Sequence, residues 1–199
     1  MKIKKQRNAL KKALEINPND EFALKRLSYS AYLSNNHEKC CEYVKTLIKI
    51  DKADIDDYTN MIFSLIQLNE IDKALEYALK VIEIDPTNLD TYATLTIIYE
   101  SLEDKDKLKE VCNRILNLDD DGSLQIILLK AQASFELGYE KEAFELVEKA
   151  IRQNPYDPMP YLMKTMLYQN LGLEEQANES LYEAIRLNPE VLMRMVNLK

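Results

Sequence analysis

Glycine is nearly absent from these 199 residues, with three in all, and there are only six prolines. Tight β-turns draw heavily on both, so their scarcity argues against a sheet built from hairpins and favours helices throughout. Histidine occurs once, at His37. Hydrolytic or transfer chemistry wants a nucleophile beside a base, and a single histidine placed in a turn supplies no such pair. The three cysteines, Cys40, Cys41 and Cys112, are odd in number and include an adjacent pair. That pattern suits neither a disulfide framework nor a CxxC motif, and it fits a reducing, cytoplasmic setting. Excess positive charge is lacking as well, since 26 Lys and Arg stand against 34 Asp and Glu for a net charge of −8. A phosphate-backbone binder needs a concentrated basic surface, so nucleic acid is not an expected partner. The one basic cluster, Lys2, Lys4, Lys5, Arg7, Lys11 and Lys12, reads first as a solvated helix face, with contact to an acidic surface or a membrane as the lesser alternative. No apolar run reaches the ~20 residues of a membrane-spanning helix.

What the chain does have is a repeat. Asn17-Pro18, Asp85-Pro86, Asn154-Pro155 and Asn188-Pro189 each follow an apolar helical stretch. The equivalent turn residue falls at Pro18, Lys52, Pro86, Asp120, Pro155 and Pro189, in steps of 34, 34, 34, 35 and 34. Cys40, Ala74, Leu108, Ala143 and Ala177 keep the same beat. Gly138 and Gly172 occupy a further common position, where Asn35 and Asn69 stand in the first two units and Glu103 in the third. Glycine and asparagine are the residues that most readily end a helix in left-handed geometry.

With that period and these residues the chain resembles the tetratricopeptide repeat family, whose units are two antiparallel helices joined by a short turn. The resemblance implies an all-α fold, an α-α superhelix or solenoid of helix-turn-helix repeats. The family's large apolar fourth, small or apolar seventh and eighth, and aromatic or aliphatic eleventh positions correspond to Leu24, Leu27, Ser28 and Ala31 in the first unit, and to Tyr92, Leu95, Thr96 and Tyr99 in the third. The expected organisation is a single repeat domain: an unpaired helix over 1–20, then repeats at 21–54, 55–88, 89–122, 124–157 and 158–191, and a tail or cap at 192–199. Ser123 is left over as an inserted residue. Leu192, Met193, Met195, Val196 and Leu198 make the tail apolar. Solenoid ends expose a face that an internal unit would bury, so a cap, self-contact between copies or continuation into a longer chain is expected there.

Other chemistry finds little support. His37, Cys40 and Cys41 would give a metal at most three nearby ligands, and Cys40 already belongs to the repeat core. Asn117, Asp119, Asp121 and Gly122 copy the first half of a calcium loop, but Leu128 stands where the bidentate glutamate belongs. Phosphate-cradling and zinc-protease motifs are lacking. No catalytic residue, metal or cofactor is therefore expected, and the chain reads as a binding protein rather than an enzyme.

On a helix advancing about 100° per residue, unit positions 2, 5, 6, 9, 12 and 13 share the face opposite the core. In the resembled family that face lines a concave groove for peptides, which implies a protein or peptide partner. Carried onto this chain, the candidate groove residues are Lys25, Tyr29, Tyr32, Asn60, Phe63, Ile97, Gln132, Phe135, Met163 and Met166. Leu128 and Leu129 fall on the same face of the fourth unit. Tyr29, Phe63, Ile97 and Met166 recur at one position, which suits an apolar helix or extended peptide. The competing reading is packing against neighbouring units. The family's two-carboxylate clamp for acidic chaperone tails is matched at Lys25 and Asn60 only, with Tyr29, Asp90 and Thr94 replacing its other members.

Overall fold

The computed structural model describes residues 2–190. Among them are eleven α-helices and no strand, so the chain is all-α. The tail residues Leu192, Met193, Met195, Val196 and Leu198 lie outside the described residues. The chain forms two compact units, Met1–Lys105 and Asp106–Lys199.

The first unit contains α1 (Lys2–Ile16), α2 (Glu21–Leu33), α3 (His37–Lys49), α4 (Ile55–Gln67), α5 (Ile71–Ile84) and α6 (Leu89–Ser101). Each helix packs on the next, and α4 also touches α2 and α6, the neighbour scheme of a helical-repeat solenoid. The second unit takes in α7 (Lys105–Leu116), α8 (Leu124–Glu136), α9 (Glu140–Gln153), α10 (Pro158–Asn170) and α11 (Glu174–Leu187). There α8 pairs with α9 and α10 with α11, while α10 contacts both α8 and α9.

The same local chemistry starts and stops these helices along the chain. Asp20, Asp54, Asn88, Ser123 and Asp157 are the N-caps of α2, α4, α6, α8 and α10, and each side chain accepts a hydrogen bond from a first-turn N–H that would otherwise lack a helical partner. At the other end the backbone turns left-handed at Asn35, Asn69, Glu103, Gly138 and Gly172. The residue after each donates its N–H five residues back, to Ala31, Leu65, Tyr99, Ser134 and Tyr168, at 2.8–3.0 Å. This closure satisfies carbonyls that the helix leaves open. At the Asp-Pro and Asn-Pro turns that lead into the third and fifth repeats, the hydroxyls of Tyr92 and Tyr161 donate to the carbonyls of Pro86 and Pro155 at 3.1 and 3.4 Å.

Ser123, expected as an insertion, holds the N-cap place in its repeat. The extra residue lies upstream in the 119–122 loop, where Asp120 accepts from Gly122 N–H at 2.9 Å and Asp121 from Ser123 N–H at 2.8 Å. Lys130 lies near the same loop and donates to the Leu118 carbonyl at 2.6 Å, so its ammonium is met by a backbone carbonyl just beyond α7 rather than left in a dry core.

The cores follow the small-residue beat. Cys40, Ala74 and Ala143 are fully buried and Ala177 nearly so, with Val44, Val81, Val147 and Ala184 buried a turn or two farther on. Small side chains at these points let helix backbones approach, and larger neighbours fill the space between pairs. The third repeat departs, since Leu108 at the equivalent place is only half-buried.

Candidate functional site

The three helices that open the repeats of the first unit, α2, α4 and α6, each carry a large apolar residue at position nine that stays half in water: Tyr29 is 50%, Phe63 41% and Ile97 46% accessible. The aromatic members form a run. The rings of Tyr29 and Tyr32 stack with centroids 6.4 Å apart, and Tyr32 meets Phe63 edge-on at 5.4 Å. His37, at the first residue of α3, extends the run with its ring 6.1 Å from Phe63. Its Nδ1 lies 3.3 Å from the Ser64 hydroxyl. Spacing alone makes His37 a turn residue. The structure makes it the first residue of α3, directly after the N-cap Asn36, and its approach to α4 has no local signal in the sequence.

Lys25 is turned to a different task. Its ammonium is bonded to Asp54 and lies 3.5 Å from Asp57, the two carboxylates that together cap the start of α4. Burial works to raise the Asp54 pKa, but the Lys25 ammonium and the Asp57 N–H outweigh it and hold the group below the ordinary carboxylate value. Asp57 goes the other way, raised by its burial and by the neighbouring Asp54 charge. The Asp54 bond raises Lys25 in turn. Asn60 is half-buried, with its carbonyl 3.7 Å from the Cys40 sulfur.

In the second unit the candidate residues are less open. Phe135, Met163 and Met166 are partly buried and pack on a core of Ala131, Ala143, Val147 and Leu167. Gln132 is half-buried. Leu128 and Leu129, placed on the groove face by sequence, are 8% and 5% accessible. The run Ile126 to Leu129, together with Ala131, Ala133 and Ser134, is buried, so α8 is covered well beyond a single apolar stripe. Near its end, burial raises the carboxyl pKa of the half-buried Glu136. Lys164 of α10 reaches Glu148 of α9 at 2.6 Å.

Among the described residues no group of three His, Cys, Asp or Glu side chains is placed to hold a metal ion, and no helix is long and apolar enough to cross a membrane. Cys40 and Cys41 are buried thiols; burial pushes Cys41 up to about 11 and Cys40 upward as well.

The tetratricopeptide-repeat family model matches residues 63–88, 124–157 and 160–191, which span the helix pairs α8–α9 and α10–α11 and the end of α4 with α5. The chain is a tetratricopeptide-repeat protein. Solved structures agree on the fold. TTC0263, a thermophilic tetratricopeptide-repeat protein of Thermus thermophilus, is 16% identical with a TM-score of 0.70, over 89% of this chain and 96% of that one. YrrB, described as a tetratricopeptide-repeat protein with an unusual peptide-binding site, is 17% identical with a TM-score of 0.56, over 95% and 97%. MamA is 15% identical with a TM-score of 0.55, over 85% and 92%. No curated protein sequence matches the chain. Tetratricopeptide repeats serve in general as protein-interaction scaffolds, because stacked pairs offer an extended surface without any catalytic machinery of their own.

Proposed function

We propose that this tetratricopeptide-repeat protein is a cytoplasmic interaction scaffold that holds an apolar or amphipathic peptide segment against the α2–α4–α6 face, with Tyr29, Tyr32, Phe63 and Ile97 as anchors. The observation that carries the reading is the aromatic run in which Tyr29 and Phe63 stand exposed with the half-buried Tyr32 between them. Aromatic side chains left half in water on adjacent helices offer large apolar area at low entropic cost, the usual makings of an interface centre. Lys25 and Asn60 flank this strip, Lys25 by fixing the start of α4. Gln132, Phe135, Met163 and Met166 would act as a second, less open contact region in the other unit. The chain's role is binding, with no reaction assigned to any residue.

Selection of displayed peptides on the wild-type protein, repeated on a Phe63→Glu/Ile97→Glu variant of unchanged helicity, tests this. Enriched peptides should carry at least two large apolar residues and lose binding to the variant. Peptides that bind both proteins equally would sink the proposal. Self-association through the chain ends is the competing reading, favoured by Ile16 on α1 and Tyr182 on α11, which are 87% and 67% accessible. Light scattering over a concentration series separates the two, because a strict monomer at high concentration rules out self-association.

A further inference from the structure

Two cavities open side by side where α1 meets α2, of about 160 and about 440 Å³, and Arg7, Ser30 and Ser34 line both. Lys11 and Lys39 stand in the wall of the smaller and Arg26 in that of the larger. Four cations surround the pair, and no Asp or Glu lines either cavity. This runs against the balance of a chain with 34 acidic and 26 basic residues. Lys39 is bonded to Glu42, but Arg7, Lys11 and Arg26 make no ion pair with any described residue. The larger cavity adds an apolar floor from Leu10, Tyr29 and Leu33. Tyr29 and Leu33 are 50% and 64% accessible.

Unpaired like charges held round one depression repel one another, and an anion placed among them relieves that repulsion and gains charge-assisted hydrogen bonds. A bare inorganic anion would use the cations and leave the apolar floor wet. A nucleic acid would need a basic track longer than this one, on a molecule that otherwise repels it. A peptide carrying both carboxylates and a large apolar residue uses every part of the site.

We propose that the paired α1–α2 cavities bind an acidic amphipathic segment of a partner protein, its carboxylates on Arg7, Lys11 and Arg26 and an apolar side chain over Leu10, Tyr29 and Leu33. The site adjoins the aromatic run and shares Tyr29 with it, so changes at the arginines, not at the rings, tell it apart from the function proposed above.

The test uses the full chain and a fluorescein-labelled peptide, Asp-Glu-Leu-Asp-Glu-Phe-Glu, followed by anisotropy. Binding should saturate and weaken as sodium chloride is added. Arg7→Glu/Arg26→Glu should weaken it by about tenfold or more, since two attractive contacts become repulsive. Lys141→Glu, on an exposed part of α9, should leave it unchanged. The milder Arg7→Gln/Arg26→Gln protein should fall between, with circular dichroism showing that both variants keep their helices. The proposal is overturned if the peptide does not bind, or if the charge-reversed protein binds it as wild type does. It is equally overturned if Phe63→Glu, rather than the arginine changes, abolishes binding. Displacement by sodium phosphate where sodium chloride of equal ionic strength has no effect would mark a simple anion site instead. A salt-sensitive dimer lost on arginine reversal, with no peptide binding, would make a second copy the occupant.

Discussion

The rings of Phe63 on α4 and Tyr32 on α2 meet edge to face, with centroids 5.4 Å apart and planes 80° from parallel. Edge-to-face pairs of this kind are worth about 0.5–1.5 kcal/mol beyond the area they bury. A double-mutant cycle of Tyr32→Ala and Phe63→Ala in urea denaturation should return a coupling in that range. A coupling near zero would mean that the two rings are neighbours without holding α2 to α4, and would leave both available to a ligand at no cost to the fold.

The start of α4 depends on Asp54, which accepts from the Asp57 N–H at 3.0 Å while its carboxylate holds Lys25 of α2. Asp54→Ala should lower stability by about 1–2 kcal/mol, the usual loss for an N-cap. Asp54→Asn keeps the cap acceptor and gives up the charge, so it should recover most of that loss. If the two variants melt alike, the ion pair rather than the cap is the larger contribution.

The backbone at Glu103 has φ 55°, the left-handed conformation that Gly172 adopts at φ 70° in the fifth repeat. A side chain there meets the following carbonyl, at about 1–2 kcal/mol. Glu103→Gly should therefore raise the thermal midpoint, whereas Gly172→Ala should lower it by a comparable amount. Space does not decide the second case, because a Cβ at Gly172 would have no neighbour within 4 Å, so any loss comes from the backbone.

Burial holds the Cys41 thiol up at about 11 against an ordinary 9.0. As pH climbs through 9 the unfolded chain releases this proton and the folded chain keeps it, so stability falls between those two values, by up to about 3 kcal/mol in full. Below pH 9 the thiol contributes no pH dependence. Cys41→Ala should lack this component: the stability difference between wild type and variant, measured by urea denaturation, should shift against wild type from pH 8 to pH 11. An unchanged difference would place Cys41 in contact with water.

Much of the fold was legible because a 34-residue beat repeats the same cap, turn and small core residue, and each sign reinforces the others. Ser123 shows the limit of spacing alone: the count located an extra residue, and only the hydrogen bond to Ile126 showed which one performs the cap. The candidate surface was legible in part. Tyr29, Phe63 and Ile97 stand open as a helical wheel suggests, but a wheel says nothing about what covers a face. Leu128 and Leu129 share that face by angle and are buried. The attachment of Lys25 to Asp54 joins residues 29 apart in sequence and depends on how α2 and α4 lie together, which no local pattern encodes. The same holds for Arg7 and Arg26, whose nearness arises only when α1 packs on α2.

Asp54 and Asn88 occupy the same backbone position at the mouth of successive helices, each as the cap of the helix that follows. A gene edited to drop residues 55–88 would join Asp54 directly to Leu89, one cap handing over to another helix in unchanged register. The chain can thus be shortened or lengthened by whole repeats, 34 residues at this junction and 35 at the next, where the 119–122 loop carries the extra residue. A junction that misses the caps would leave a helix without its N-cap or with the wrong face toward its neighbour, so recombination within such a gene is tolerated from cap to cap and penalised elsewhere.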